Sequence, residues 1–342
     1  MRTHMHTQVL YNIKWYLSNT FSKIICSLQS DFFVLYFRLN VEPKGTDRSL
    51  SMNYIDFCGE KLSQIVLGTD GFSERIDRQT AFDLMDLYIA SGGNVLDTAR
   101  MYCGGETEKL IGEYIRKNAL AEKIFVMTKC SFPDGTSSRL SPKDIEQDID
   151  QSLAALGIDV IDMVFLHRDD ERKSVHPITD TLNSMVQKGK IRYFGASNWT
   201  YDRIDSANRY AYESGLDGFC ASQILYNLAT PAKVWDDTIV SMTETEKKNY
   251  EENDLPVFAY CAQAKGFFEK YCSGILSQKA KERYLCKESV ATYAKIKQRA
   301  DQTGESISHT ALKMLAEQSS FDVFPIISAS NVNQLKDSLN IK

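Results

Sequence analysis

From Tyr54 onward, short apolar runs alternate with longer stretches whose hydrophobic positions recur at helical spacing. The chain first shows a compact alternation: Tyr54-Ile-Asp-Phe and Lys61-Leu-Ser-Gln-Ile flank Cys58-Gly-Glu, which predicts a β-hairpin turning at Gly59. Eight apolar runs follow, at Ile65–Gly68, Asn94–Leu96, Ile124–Thr128, Ile161–Leu166, Ile191–Ala196, Phe219–Leu225, Pro256–Ala259 and Val323–Ile327. Between them the spacing predicts helices over 77–91, 106–118, 141–156, 177–188, 201–214 and 306–318. Ser141-Pro142 supplies an N-cap ahead of an N1 proline, and Gly92, Gly157, Gly189 and Gly215 follow the last periodic positions.

Strands and helices that alternate at this spacing imply parallel strands joined by right-handed crossovers, and eight repeats favour closure. The fold class expected is therefore α/β, a (β/α)₈ TIM barrel preceded by a hairpin. The rhythm breaks twice. Residues 230–254, with Trp235 and the charged run 244–252, read as a helical insertion after strand 6; residues 267–300 read as a long loop plus helix after strand 7. Loops on the C-terminal face build the active sites of such barrels, so these two are expected to wall a pocket, together with Phe72, Met101, Trp199 and Trp235.

A barrel takes about 250 residues, fewer than the 342 present. The surplus lies mostly in residues 1–52, which scatter aromatics such as Trp15, Phe32 and Phe37 without a sustained period. This stretch reads as an N-terminal extension, poorly ordered or a mis-assigned start with translation beginning at Met52; residues 53–342 form the barrel domain. Its longest apolar run, Phe32 to Phe37, is far short of the ~20 residues of a membrane span. The order of zones in a signal peptide is absent too.

Composition narrows the function classes. The chain is 43% hydrophobic and 25% charged with a net charge of −5, and its basic residues are dispersed, so it offers no footprint for nucleic acid. Eight cysteines without a CxxC pair read as reduced thiols of a cytoplasmic protein. The chemistry concentrates at strand ends. Asp97 closes the second strand with Tyr102 five residues on, Lys129 closes the third, and His167 the fourth. Each alone has a bland explanation: a helix-capping Asp, a packed Tyr, a solvated Lys, a core His. Four polar groups on corresponding rim positions of one barrel are poor packing material and good catalytic material.

The segments Asp97-Thr-Ala-x-x-Tyr102, Lys129, Leu166-His167, Gly195-Ala-Ser-Asn198 and Gln223, in this order, resemble the aldo/keto reductases from about Tyr54 to the C-terminus. The chain looks like the bacterial predicted-oxidoreductase branch more than the aldose reductase branch. The resemblance implies NAD(P)H-dependent reduction of an aldehyde or ketone, sugar-derived substrates included, by a monomer or weak homo-oligomer without metal or membrane. It assigns Tyr102 as the proton donor, helped by Lys129, Asp97 and His167. A phenol donates well at neutral pH when a cation such as Lys129 stabilises its phenolate, and this is expected to lower the Tyr102 pKa.

The same resemblance implies cofactor contacts. Gly68 and Thr69 lie beside the nicotinamide ribose; Ser197, Asn198 and Gln223 hold the carboxamide; Tyr260 stacks on the ring; and Cys261, Ala262 and the backbone to Gly266 follow the pyrophosphate. Ser328, Ala329, Ser330, Gln334 and Ser338 fall around the adenosine 2′-phosphate. At that phosphate many members carry a Lys-Ser pair followed by an Arg. Here Ser328, Ala329 and Gln334 stand in those places, so NADPH is expected with a weakened preference and NADH is admitted.

Two rival readings come from other classes. A metal site at His167-Arg-Asp-Asp-Glu171 with His176 lacks the usual ligand spacing. A redox-sensing or regulatory cofactor-binding protein with little turnover is the second. Cys103 and Cys130 each follow a tetrad residue, and a thiolate favoured by Lys129 would make the site sensitive to oxidation.

Overall fold

The computed structural model describes residues 52–231, 236–317 and 320–341. The expectations for residues 1–51 and for Trp235 fall outside the described residues. Tyr54–Phe57 (β1) and Glu60–Ser63 (β2) pair antiparallel with Phe57 opposite Glu60. The turn is one residue tighter than expected: Cys58 (φ 52°) and Gly59 (φ 86°) both take left-handed backbone, the geometry of a two-residue hairpin turn.

Eight parallel strands close into a barrel: β3 (Val66–Gly68), β4 (Val95–Asp97), β5 (Phe125–Cys130), β6 (Ile161–Leu166), β7 (Ile191–Ser197), β8 (Ser222–Leu225), β9 (Val257–Tyr260) and β10 (Val323–Ile327). The ring closes where β10 pairs with both β9 and β3. Around it run α1 (Arg78–Ala90), α2 (Glu106–Lys117), α3 (Pro142–Leu156), α4 (Val175–Gln187), α5 (Tyr201–Ser214) and α6 (Glu244–Asn253). After β9 come α7 (Phe267–Cys272), α8 (Gln278–Tyr284), α9 (Lys287–Thr303) and α10 (Ile307–Glu317), and α11 (Val332–Leu339) follows β10. No helix among the described residues is long and apolar enough to cross a membrane.

Two differences from the sequence expectation concern the long connections. The charged run taken for an insertion is α6, which occupies the crossover between β8 and β9; it buries only Tyr250, so its polar makeup hides the amphipathic signal. The stretch after β9 holds three helices, α7 to α9, instead of a long loop and one helix. Two of the three are seven residues or shorter, too short for periodicity to show.

The core divides by strand parity. In β5, Phe125 and Met127 point into the barrel, while Val126 and Cys130 face the helices. Met163 and Phe165 of β6, Phe258 of β9 and Phe324 of β10 fill the interior. Phe57 from the hairpin closes its N-terminal end, with ring centroids 5.6 Å from Phe258, 6.0 Å from Phe324 and 6.2 Å from Phe125. Gly195 on β7 belongs to the same packed interior. A Cβ there would lie 2.6 Å from both the Phe165 ring and the carbonyl oxygen of Ala221.

Candidate active site

Continuing that inward parity to the C-terminal rim gives the site. Above Phe125 and Met127 the next inward position of β5 is Lys129; above Val95 it is Asp97; above Phe165 it is His167; above Ala221 it is Gln223. Asp97 pairs in register with Gly68 and Met127, and Ser197 with Gln223, so neighbouring strands present these groups at one level. Tyr102 arrives on a short 3₁₀ turn, Tyr102–Gly105, that leads into α2.

Lys129 is 3% exposed, and its ammonium is fully engaged. It donates to both Asp97 oxygens (2.9 and 2.8 Å), to the Thr98 carbonyl (2.7 Å) and to the Tyr102 hydroxyl oxygen (3.3 Å). Gln223 Nε2 donates to Asp97 Oδ1 at 3.0 Å, which fixes the carboxylate from the far side. Because the Tyr102 oxygen accepts from Lys129, its own proton is directed elsewhere. The imidazole of His167 meets the Tyr102 ring edge-on at 6.2 Å and Phe132 at 4.9 Å. Its Nδ1 is buried and has no protein partner.

Burial dominates the ionisation of the site. It holds the Tyr102 phenol well above its ordinary value of 10, with Asp97 and Asp70 adding to the effect. The expectation of a lowered tyrosine pKa is thus corrected: desolvation and two carboxylates outweigh the lowering charge of Arg168, and Tyr102 keeps its proton at neutral pH. Burial also lowers Lys129 from the usual lysine value, against the pull of Asp97. His167 is held well below 6.5 by burial and by the charges of Lys129 and Arg168, so the imidazole is neutral at neutral pH.

The remaining positions expected to matter lie around this cluster. Thr69 is buried, and its hydroxyl donates to the Asp97 carbonyl at 3.0 Å. Asn198 takes a left-handed backbone (φ 58°); its amide donates to Ser197 Oγ (3.0 Å) and the His167 carbonyl (3.2 Å), and its Oδ1 accepts from the Tyr260 hydroxyl at 2.7 Å. Cys261, Ala264, Lys265 and Gly266 all have positive φ, a strained run directly after Tyr260. Ala262 is buried.

Ser328 donates to Asp70 at 3.0 Å, and Gln334 accepts from the Ser330 N–H at 2.9 Å, next to the Asn331 cap of α11. Ala329 is turned into the core. Ser338 is buried; its hydroxyl accepts from Gln263 at 2.8 Å and donates to the Gln334 carbonyl at 3.0 Å, which ties α11 to the segment after β9.

Several expected roles change. Phe72 and Trp199 are core residues, not pocket walls: Trp199 is fully buried, 5.3 Å from the Phe219 ring, with its indole N–H on the Arg168 carbonyl. Met101 is exposed (39%) beside Tyr102. Cys130 faces the helices, and burial pushes its thiol up to about 12, which removes the thiolate envisaged there; Cys103 is exposed on the turn. Asp169 and Asp170 pair with Arg203 and Arg172, and His176 stacks on Tyr210. Among the described residues no three His, Cys, Asp or Glu side chains converge as a metal-ligand set. Sequence reasoning missed Phe132 beside His167, Asp70 at the rim, and Glu108, which is fully buried and accepts from Thr128 at 2.6 Å behind Lys129. A Glu two residues into a helix gives no sequence sign that it is buried.

The Aldo/keto reductase family profile matches residues 64–342. The chain belongs to the aldo/keto reductase family. Norsolorinic acid reductase stcV of Emericella nidulans is 26% identical over 298 residues, 82% of this chain and 74% of that protein. Norsolorinic acid reductase A of Aspergillus parasiticus is 28% identical over 55% of this chain and 52% of its own length. A putative aryl-alcohol dehydrogenase of Saccharomyces cerevisiae, AAD14, is 29% identical over half of each chain. The aligned region thus spans about half the length of the latter two relatives. Among solved structures, a thermostable aldo-keto reductase crystallised with epalrestat superposes with a TM-score of 0.63 over 85% of this chain and 94% of that one, at 22% identity, a likeness of fold.

Proposed function

We propose that this aldo/keto reductase uses NADPH or NADH to reduce an aldehyde or ketone to an alcohol, with Tyr102 giving the proton. The observation that carries the proposal is the Asp97–Lys129–Tyr102 chain of hydrogen bonds, set beside a neutral His167 on one rim. Bound nicotinamide would supply the hydride. The residues of the chain would do the rest. His167 would donate to the carbonyl oxygen and orient it; Tyr102, protonated at neutral pH, would pass its proton to the alkoxide as charge develops; and Lys129, held by Asp97, would stabilise the phenolate left behind.

The rim fits the cofactor. The left-handed turn after Tyr260 is where a pyrophosphate would lie, with the N–H groups of Ala264 and Gly266 engaged in the turn itself, on the Cys261 and Gln263 carbonyls at 2.7 and 2.8 Å. Beside it the Asn198 side chain links Ser197 and Tyr260, and the Asn198 N–H donates to the Gln223 carbonyl at 3.1 Å. Ser328, Ser330 and Gln334 offer a 2′-phosphate only hydroxyl and amide partners, without a cation.

For the substrate, Phe132 against His167 and exposed Met101 beside Tyr102 would give a largely apolar approach to the reacting oxygen, with the Arg168 guanidinium 5.4 Å from the Phe132 ring centroid. The similar proteins are named for aryl alcohols and norsolorinic acid, and an aromatic carbonyl is the class we favour. Steady-state oxidation of NADPH and of NADH with benzaldehydes, aryl ketones and aldoses tests this. Turnover of aromatic carbonyls above aldoses is expected; tight cofactor binding with no turnover on any of them overturns the proposal.

A further inference from the structure

Glu108, on the first turn of α2, is a fully buried carboxylate that the chemistry at the rim leaves unused. Its Oε1 accepts from Thr128 Oγ1 at 2.6 Å, and its Oε2 faces Arg100 Nη1 at 3.7 Å. Neither Oε2 nor Nη1 has a hydrogen-bond partner among the described residues. Burial pushes the carboxyl up, against the pull of Thr128, Ser152 and Arg100. A buried ion pair of such loose geometry is poor material for stability. Its place in the fold gives it another use.

Arg100 lies two residues before Tyr102. Its N–H donates to the Lys129 carbonyl at 3.0 Å, and its Nε donates to Gln151 Oε1 on α3 at 3.1 Å. The guanidinium packs over Gly105, the last residue of the turn that carries Tyr102. That glycine takes φ 95°, and a Cβ on it would collide with Arg100 Nη1, so both backbone and space exclude any larger residue. On the other side, Thr128 directly precedes Lys129 in β5 and points outward where Lys129 points in. Glu108 thus grips the strand that carries the ammonium and the arginine that packs over the turn carrying the phenol. We propose that Arg100 and Glu108 are positioning residues, a clamp behind the barrel wall that sets the 3.3 Å contact between Lys129 and Tyr102 for proton transfer. The proposal rests on the reading of Tyr102 as the proton donor.

The test compares Glu108→Gln, Arg100→Gln and the double variant in the full-length protein. Glu108→Gln keeps the shape of the side chain and an acceptor for Thr128, and loses the charge that faces Arg100. A misplacement of about 1 Å between reacting groups can cost about 10²-fold in rate, so each single variant, shifting them by less, should lower kcat for benzaldehyde about tenfold at saturating NADPH. KM and the NADPH dissociation constant should stay within about twofold of wild type. The solvent isotope effect on kcat in D₂O should exceed that of wild type, because the proton step has slowed. The double variant should be no slower than the slower single variant, since one device is broken in both. A crystal structure of Glu108→Gln should place Lys129 Nζ beyond about 3.5 Å from the Tyr102 oxygen. A kcat near wild type in either single variant, losses that multiply in the double, or an unchanged isotope effect overturns the clamp, as does a Lys129–Tyr102 contact that keeps its length. A fall in kcat matched by weaker NADPH binding makes the pair mere scaffold and overturns it too. Turnover retained in Tyr102→Phe strikes the donor assignment instead, and the crystal distance then still judges the clamp.

Discussion

Lys129→Met removes the charge that links Asp97 to Tyr102 while keeping a side chain of similar length in the barrel. The Lys129 ammonium lies 3.3 Å from the Tyr102 oxygen. At an effective dielectric of about 20, a full phenolate at that distance is stabilised by about 5 kcal/mol. With proton transfer about half complete at the transition state, about 2.5 kcal/mol is lost, which corresponds to a fall of about seventyfold in rate. The variant also strands Asp97, whose carboxyl burial already pushes up; in Lys129→Met it should take up a proton. Pairing the change with Asp97→Asn removes that complication. The double variant should recover stability relative to Lys129→Met without recovering rate. The assay is kcat for an aromatic aldehyde from the loss of nicotinamide absorbance, alongside cofactor affinity by fluorescence titration. Lys129→Met retaining kcat within about threefold of wild type would refute the role given to the ammonium.

Other outcomes follow from the same geometry. Tyr102→Phe should lower kcat by about 10²–10⁴ with cofactor affinity nearly unchanged, so retained turnover in that variant excludes it as the donor. Phe57→Ala opens a cavity among at least three aromatic rings and should cost about 3–5 kcal/mol in urea unfolding; a midpoint unchanged from wild type contradicts its place as the plug. Gln334→Arg should tighten NADPH relative to NADH by about tenfold, read as a ratio of dissociation constants, if residue 334 faces the 2′-phosphate. His167 has a lowered folded pKa, so below the unfolded value of about 6.5 only the unfolded chain binds the proton. Stability should therefore fall on acidification from about pH 7 to about pH 5. The fall should be shallower in His167→Asn, and an identical pH slope in the two proteins argues that the imidazole is not buried as described.

The barrel was legible because each strand is a short apolar run and most helices carry a clear face, with caps at Ser141 and glycines at Gly157 and Gly215. The rim positions of Asp97, Lys129 and His167 were legible for the same reason, since they stand where those runs end. What failed was whatever depends on packing between distant segments. The face of α6 was invisible because only Tyr250 is buried, and Trp199 and Phe72 read as pocket residues because sequence does not show which side of a loop meets the core. The raised Tyr102 pKa could not be foreseen either. Charge pairing is visible in a motif, but desolvation depends on how completely the surrounding loops close over the phenol.

The inward and outward alternation of β5 constrains how such a protein can change over time. Sliding the chain by one residue beneath the rim would bring Thr128 or Cys130 to the place of Lys129 and turn the ammonium toward the helices. Insertions and deletions within a barrel strand can therefore survive only in pairs, whereas the connections at the rim are free to lengthen by any number. Variation in length among active descendants of this chain should accumulate at the mouth of the barrel and be nearly absent from its wall.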